Sequence, residues 1–151
     1  MKLADLGDAS ISDDNETWVF MPRSKPWSPP EYHHRGCPFW QATKMDIYSF
    51  GLLCLWVLFG DSLSFSAASL NHCQDDDHAI TGLPPTIVTL AMLKKTNRLQ
   101  DAVREVVLAY EGITREQQSK LDSFFTLTLA EKPTARSSDF QLILKLLGDD
   151  R

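Results

Sequence analysis

From Lys44 to Gly60 the chain reads KMDIYSFGLLCLWVLFG, and between Phe50 and Phe59 only Gly51 and Cys54 are not large hydrophobes. Ten residues of this kind fall short of the roughly twenty that a membrane-crossing helix needs. A helix apolar on every side but too short for a bilayer is expected to be the buried axis of an α-helical domain. Thr43 and Asp46 have the spacing of a capping box, which predicts the start, and Gly60 predicts the stop. The rest of the chain is expected to fold around this axis.

With 151 residues, 43% hydrophobic and 23% charged, one domain or part of a larger one with a packed core is expected. A net charge of −5 offers no basic surface for nucleic acid or an anionic membrane. Cys37, Cys54 and Cys73 are odd in number and irregularly spaced, which predicts a reduced, intracellular protein, cytoplasmic or nuclear. The first residues, MKLADLGDAS, have no apolar core of a signal peptide.

Lys2 to Leu6 predicts at most a short strand or hairpin, and Asp5-Leu6-Gly7 a turn. An Asp beside a Gly at a strand end is also suited to hold a hard cation through its oxygens. Residues 11–40 are predicted irregular, because five of the eight prolines lie there. Trp18, Phe20, Trp27, Phe39 and Trp40 are too many large aromatics for a free linker, so this segment should dock on the domain. Residues 61–85 are polar, and Asp75-Asp76-Asp77 reads as a solvated loop. Pro85 is suited to open a helix carrying Ile87, Val88, Leu90, Ala91 and Leu93. Leu99, Ala102, Val103, Val106, Val107 and Tyr110 follow the spacing of one helical face, ended by Gly112. Thr114 with Gln117 predicts a capping box for a helix burying Leu121, Phe124, Phe125 and Leu129. Pro133 breaks it. Ser138 with Gln141 predicts the start of the last helix, with Phe140, Ile143, Leu144 and Leu147 inward, closed by Gly148.

The order of the motifs resembles the C-terminal lobe of a protein kinase domain. Asp5-Leu6-Gly7 stands where that family has D-F-G, and Pro29-Pro30-Glu31 where it has A-P-E, 26 positions on. Asp46-Ile47-Tyr48-Ser49-Phe50-Gly51 then opens the apolar helix, and Glu131-Lys132-Pro133-Thr134-Ala135-Arg136 lies between the last two helices. The resemblance covers nearly the whole chain. It implies a mainly α fold: a helical bundle around a central helix over 43–60, with a metal-binding turn and activation-segment-like loop over 1–40, a loop over 61–85 and C-terminal helices over 86–148. It implies that Asp5 binds Mg²⁺ bridging to ATP, that Leu6 takes the Phe position and that Gly7 frees the backbone. Glu31 is expected to pair with Arg136, Asp46 to hold the catalytic loop, and Trp56 to be the aromatic of the central helix. Arg23, Ser24 and Lys25, with Trp27 and Ser28, would lie where a peptide substrate docks. Thr17, Ser24 and Ser28 are candidate phosphosites.

The implied activity is ATP-dependent phosphorylation of Ser or Thr in proteins. No Gly-rich phosphate loop, strand lysine or H-R-D catalytic loop occurs in these 151 residues; His33-His34-Arg35 follows Glu31 and is not that loop. The chain by itself is therefore expected to be an inactive, truncated kinase-like domain, using ATP and Mg only when completed by the missing lobe. The alternative is a non-catalytic binding module or decoy that holds a protein, such as another kinase, through uncovered apolar surface. Zinc is a weaker rival. His33 with Cys37, and His72, Cys73, Asp77 and His78, do not make the paired ligand units that zinc sites favour.

Overall fold

The computed structural model describes residues 10–67 and 85–148. Among them the chain is mainly helical, with two short strands ahead of the helices. These are β1 (Trp18–Val19), β2 (Cys37–Pro38), α1 (Phe39–Ala67), α2 (Pro85–Lys95), α3 (Leu99–Ala109), α4 (Arg115–Thr128) and α5 (Phe140–Leu147), with a 3-10 turn at Pro133–Ala135 before α5. β1 and β2 pair antiparallel, Trp18 opposite Pro38 and Val19 opposite Cys37. Gly36 enters β2 at φ +85, with the Val19 carbonyl oxygen 2.6 Å from where a Cβ would sit, so only glycine fits without strain.

The central helix is longer than the sequence predicts. Thr43 is already inside α1, and its hydroxyl donates back to the Phe39 carbonyl at 3.1 Å; the Thr43–Asp46 capping box does not form. The opening amides of α1 are met by loop carbonyls instead. Phe39 N–H donates to Thr17 at 2.8 Å and Trp40 N–H to Asn15 at 3.2 Å. A cap supplied by main chain 20 or more residues away leaves no local signature. Gly60 does not stop the helix either. The helix kinks at Phe59 (φ −134, ψ 15) and continues to Ala67, so residues 61–67, expected as loop, are helical.

α1 packs against α2, α3 and α4, and α5 lies on α4. The core joins Ile47, Tyr48, Leu52, Leu55 and Phe59 of α1 to Leu90 and Leu93, to the predicted face of α3 up to Val107, to Phe124, Phe125 and Leu129, and to Ile143. Gly51 lets α1 and α4 approach closely: a Cβ there would lie 2.5 Å from Thr128 Oγ1 and 2.8 Å from Thr128 Cβ. A second small cluster, Val19, Cys37, Ala42 and Met45, fastens the strands to the start of α1.

The apolar run is buried on one face only. Leu53, Trp56, Val57 and Leu58 remain 45%, 41%, 67% and 47% exposed, because α2, α3 and α4 cover only the opposite side. Phe39–Ser62 is long and apolar enough, by length and composition, to cross a membrane, although the apolar run alone is not. The core helix of a soluble protein passes the same test, and Tyr48, Leu52, Leu55 and Phe59 of this one are covered by the neighbouring helices.

The later helices follow their sequence signals more closely. α4 carries the Thr114–Gln117 capping box in full. α2 ends in a Schellman turn: Arg98 N–H donates to Leu93, Asn97 N–H to Lys94, and Asn97 is left-handed at φ 54. α3 stops at Ala109, and Tyr110, expected on its buried face, is exposed. α5 is capped by Asp139, whose carboxylate accepts from Leu142 N–H at 3.0 Å, not by a Ser138–Gln141 box. Of its four predicted inward residues only Ile143 is buried; Phe140, Leu144 and Leu147 stay exposed.

Candidate functional site

Six of the described candidate residues, Arg23, Ser24, Lys25, Ser28, Glu31 and Arg136, lie where the loop over residues 22–31 rests on α1, α2 and the 3-10 turn. Arg136 follows that turn and is 2% exposed. It forms a two-pronged ion pair with Glu31, NH1 to Oε1 and NH2 to Oε2, across 105 positions of sequence. Its other N–H groups donate to the carbonyls of Ala130 (2.7 Å), Lys44 (3.2 Å) and Glu131 (3.0 Å). All five guanidinium donors are thus used. The cation lies 4.5 Å from the centre of the Tyr48 ring. Glu31 keeps a 16% exposed side chain, so the pair has one wet end.

The loop itself is held at several points. Ser24 N–H donates to Ser28 Oγ and Ser28 Oγ to the Ser24 carbonyl, each at 3.0 Å, which closes a turn over 24–28. Beneath it, Ser49 Oγ on α1 donates to the Trp27 carbonyl at 3.1 Å. Lys94 Nζ on α2 donates to the carbonyls of Pro26 and Ser28. The Trp27 ring meets Trp56 edge-on at 5.9 Å. Burial lowers the Lys94 pKa to about 8, against the pull of the Glu31 carboxylate. Burial, then the Arg136 charge, lowers that of Lys44.

Arg23, Ser24 and Lys25 stay exposed on this turn, while Ser28 is half-buried with its hydroxyl already engaged. Thr17 stands apart, before β1, and donates to Asp14 Oδ2 at 3.3 Å. Asp46 is exposed on α1; nearby protein mass still raises its carboxyl above the usual value, and its charge acts on Cys37. Asp46 is not brought to the Glu31–Arg136 pair. Lys94, Ser49 and Lys44 were missed by sequence reasoning. Their acceptors are main-chain carbonyls, which carry no residue signature.

Asp5, Leu6 and Gly7 lie outside the described residues, as do His72, Cys73, Asp77 and His78. Among the described residues no three His, Cys, Asp or Glu side chains group as metal ligands, so these residues assign no atom to Mg²⁺ or ATP. Cys37 is buried, and burial first, then Glu31 and Asp46, hold its thiol above the usual value. Burial pushes Cys54 up to about 11. Neither thiol is disposed to ionise as a nucleophile or zinc ligand.

A groove of about 560 Å³ runs along the exposed face of α1, lined by Leu53, Cys54, Val57, Leu58, Leu121 and Leu147 among others. Comparison with models of known families, with curated proteins and with solved structures finds no match to this chain.

Proposed function

We propose that this chain forms the large helical lobe of a protein-kinase-like domain, and that the loop over residues 22–31 is the surface on which a protein or peptide docks. The observation that carries this reading is the Glu31–Arg136 pair. The motif order led to the expectation that these two residues meet, and they do so with every donor of a buried guanidinium satisfied. Such a pair is strongly destabilised by loss of one partner. It fixes the end of the loop to the last helices. The exposed Arg23, Ser24 and Lys25 then form a basic, hydroxyl-bearing ridge for a polypeptide.

The activity inherited under this reading is ATP-dependent phosphorylation of Ser or Thr in proteins. Mg²⁺ and ATP would engage Asp5, with Leu6 and Gly7 shaping its turn, in a domain completed by a nucleotide-binding lobe. The described residues contribute docking and positioning and no group that touches phosphate. An intracellular location, cytoplasmic or nuclear, agrees with the free, buried Cys37 thiol.

A second reading, a non-catalytic module or decoy that holds another protein such as a kinase, is favoured by the exposed apolar face of Leu53, Trp56, Val57 and Leu58. Titration of the purified chain with Mg·ATP and with a fluorescent peptide array separates the two. Peptide binding weakened by Arg23→Ala and Lys25→Ala, and Mg²⁺-dependent ATP binding lost in Asp5→Ala, support the first. Capture of a partner that Val57→Glu abolishes and Lys25→Ala does not supports the second. A chain that binds no peptide overturns the first.

A further inference from the structure

Three consecutive carbonyl oxygens of the loop, those of Pro26, Trp27 and Ser28, are taken up by side chains of two different helices. Lys94 on α2 takes the outer two and Ser49 on α1 the middle one. Main-chain groups of a surface loop ordinarily find water or their own neighbours. Here they are turned onto the helices while Arg23, Ser24 and Lys25 stay exposed.

We propose that Lys94 is a positioning residue, a latch that holds the 24–28 turn against α1 and α2 and so presents the Arg23–Ser24–Lys25 ridge in one conformation. The role of the ridge rests on the docking reading above; the latch itself does not. An ammonium group carries three donors on a flexible stem, and its bonds to carbonyl oxygens are charge-assisted and stronger than neutral ones. The Tyr48 ring centre, 5.8 Å from Lys94 Nζ, adds a favourable face. The root of the lysine is also fixed: its own carbonyl accepts from Asn97 N–H at 3.3 Å in the turn that ends α2. Ser49 cannot hold the turn alone. It offers one donor, and its hydroxyl also lies 3.0 Å from the Met45 carbonyl.

The test uses the full 151-residue chain. A water-soluble acetylating ester is applied under native conditions, and the labelling of each lysine is read by peptide mass. Lys94 should react at least about tenfold more slowly than the exposed Lys25, because it reacts only when the turn opens. Labelling at equal rates overturns the latch. The Trp27–Trp56 edge contact should give a far-ultraviolet exciton couplet, which, identified by its loss in Trp56→Phe, is a second reading of the same turn. Lys94→Met should lose the couplet with helix content retained, and Lys94→Arg, which keeps a charged group with several donors, should keep it. A folded Lys94→Met with the couplet intact overturns the latch. If Lys94→Met does not fold, the labelling of the native chain decides. Neither measurement contains a peptide, so a protected Lys94 in a chain that binds no peptide sinks the docking reading and leaves the latch standing.

Discussion

Lys44 and Arg136 are both cations, yet each donates a hydrogen bond to the other's main-chain carbonyl oxygen, across 92 positions of sequence. Two like charges side by side are tolerable because Glu31 lies on the Arg136 guanidinium. Glu31→Ala should therefore cost about 3–5 kcal/mol, the usual penalty for leaving one half of a buried pair. Arg136→Ala should also destabilise, and the double variant should cost less than the two added together. Arg136→Lys should not restore stability, since a lysine cannot replace five fixed donors. Urea midpoints of the four variants check this. Additive losses would remove the coupling.

Lys94 makes stability depend on pH in an unusual direction. Burial holds its folded pKa at about 8, whereas an unfolded lysine titrates near about 10.4. Between those values the unfolded chain binds more protons, so the Lys94 contribution rises as pH climbs from about 8 to about 10.4 and is at its minimum below. The difference between wild type and Lys94→Met isolates it from the other titrating groups. Wild type should gain urea resistance relative to the variant over that window. A constant difference would mean that Lys94 titrates normally.

Gly51→Ala should destabilise, although alanine is the better helix former. The added methyl would meet Thr128 Oγ1 at 2.5 Å and Leu129 Cδ2 at 2.9 Å. Overpacking of about 1–3 kcal/mol outweighs a propensity gain of at most about 1 kcal/mol. Thermal unfolding should show a lowered midpoint, and an unchanged or raised one would place α1 and α4 farther apart.

Asn97 is the one described non-glycine residue at positive φ, at 54°. Asn97→Gly should be neutral or stabilising. Asn97→Ala should lose about 1 kcal/mol, since alanine has no local hydrogen bond to offset the left-handed backbone. Denaturant titration of both variants tests this.

The helices α2, α3 and α4 were readable because their signals are local. Pro85 opens α2, the Leu99 to Val107 spacing marks the face of α3, and Thr114 and Gln117 cap α4 with their own side chains. The limits of α1 were not readable. Its first amides are capped by Asn15 and Thr17 from the preceding loop, and Gly60 is helical because the chain bends at Phe59 instead. Half of the candidate site was legible for a similar reason. Glu31 and Arg136 stand in two of the short stretches on which the kinase resemblance rests, whereas Lys94, Ser49 and Lys44 act on main-chain carbonyls that any residue could supply.

Local sequence signals established that the chain is mainly helical and where most helices lie; only the resemblance implied that Glu31 and Arg136 meet. Periodicity, prolines and capping residues act within a turn or two of chain, so they survive without knowledge of the fold. Tertiary structure alone decided which face of α1 is covered. Between Phe50 and Phe59 hydrophobes occupy nearly every position, so no pattern separates Leu52 and Leu55, fully buried, from Val57, which is 67% exposed. That choice depends on where α2, α3 and α4 come to rest, and it is made by packing between segments far apart in the chain.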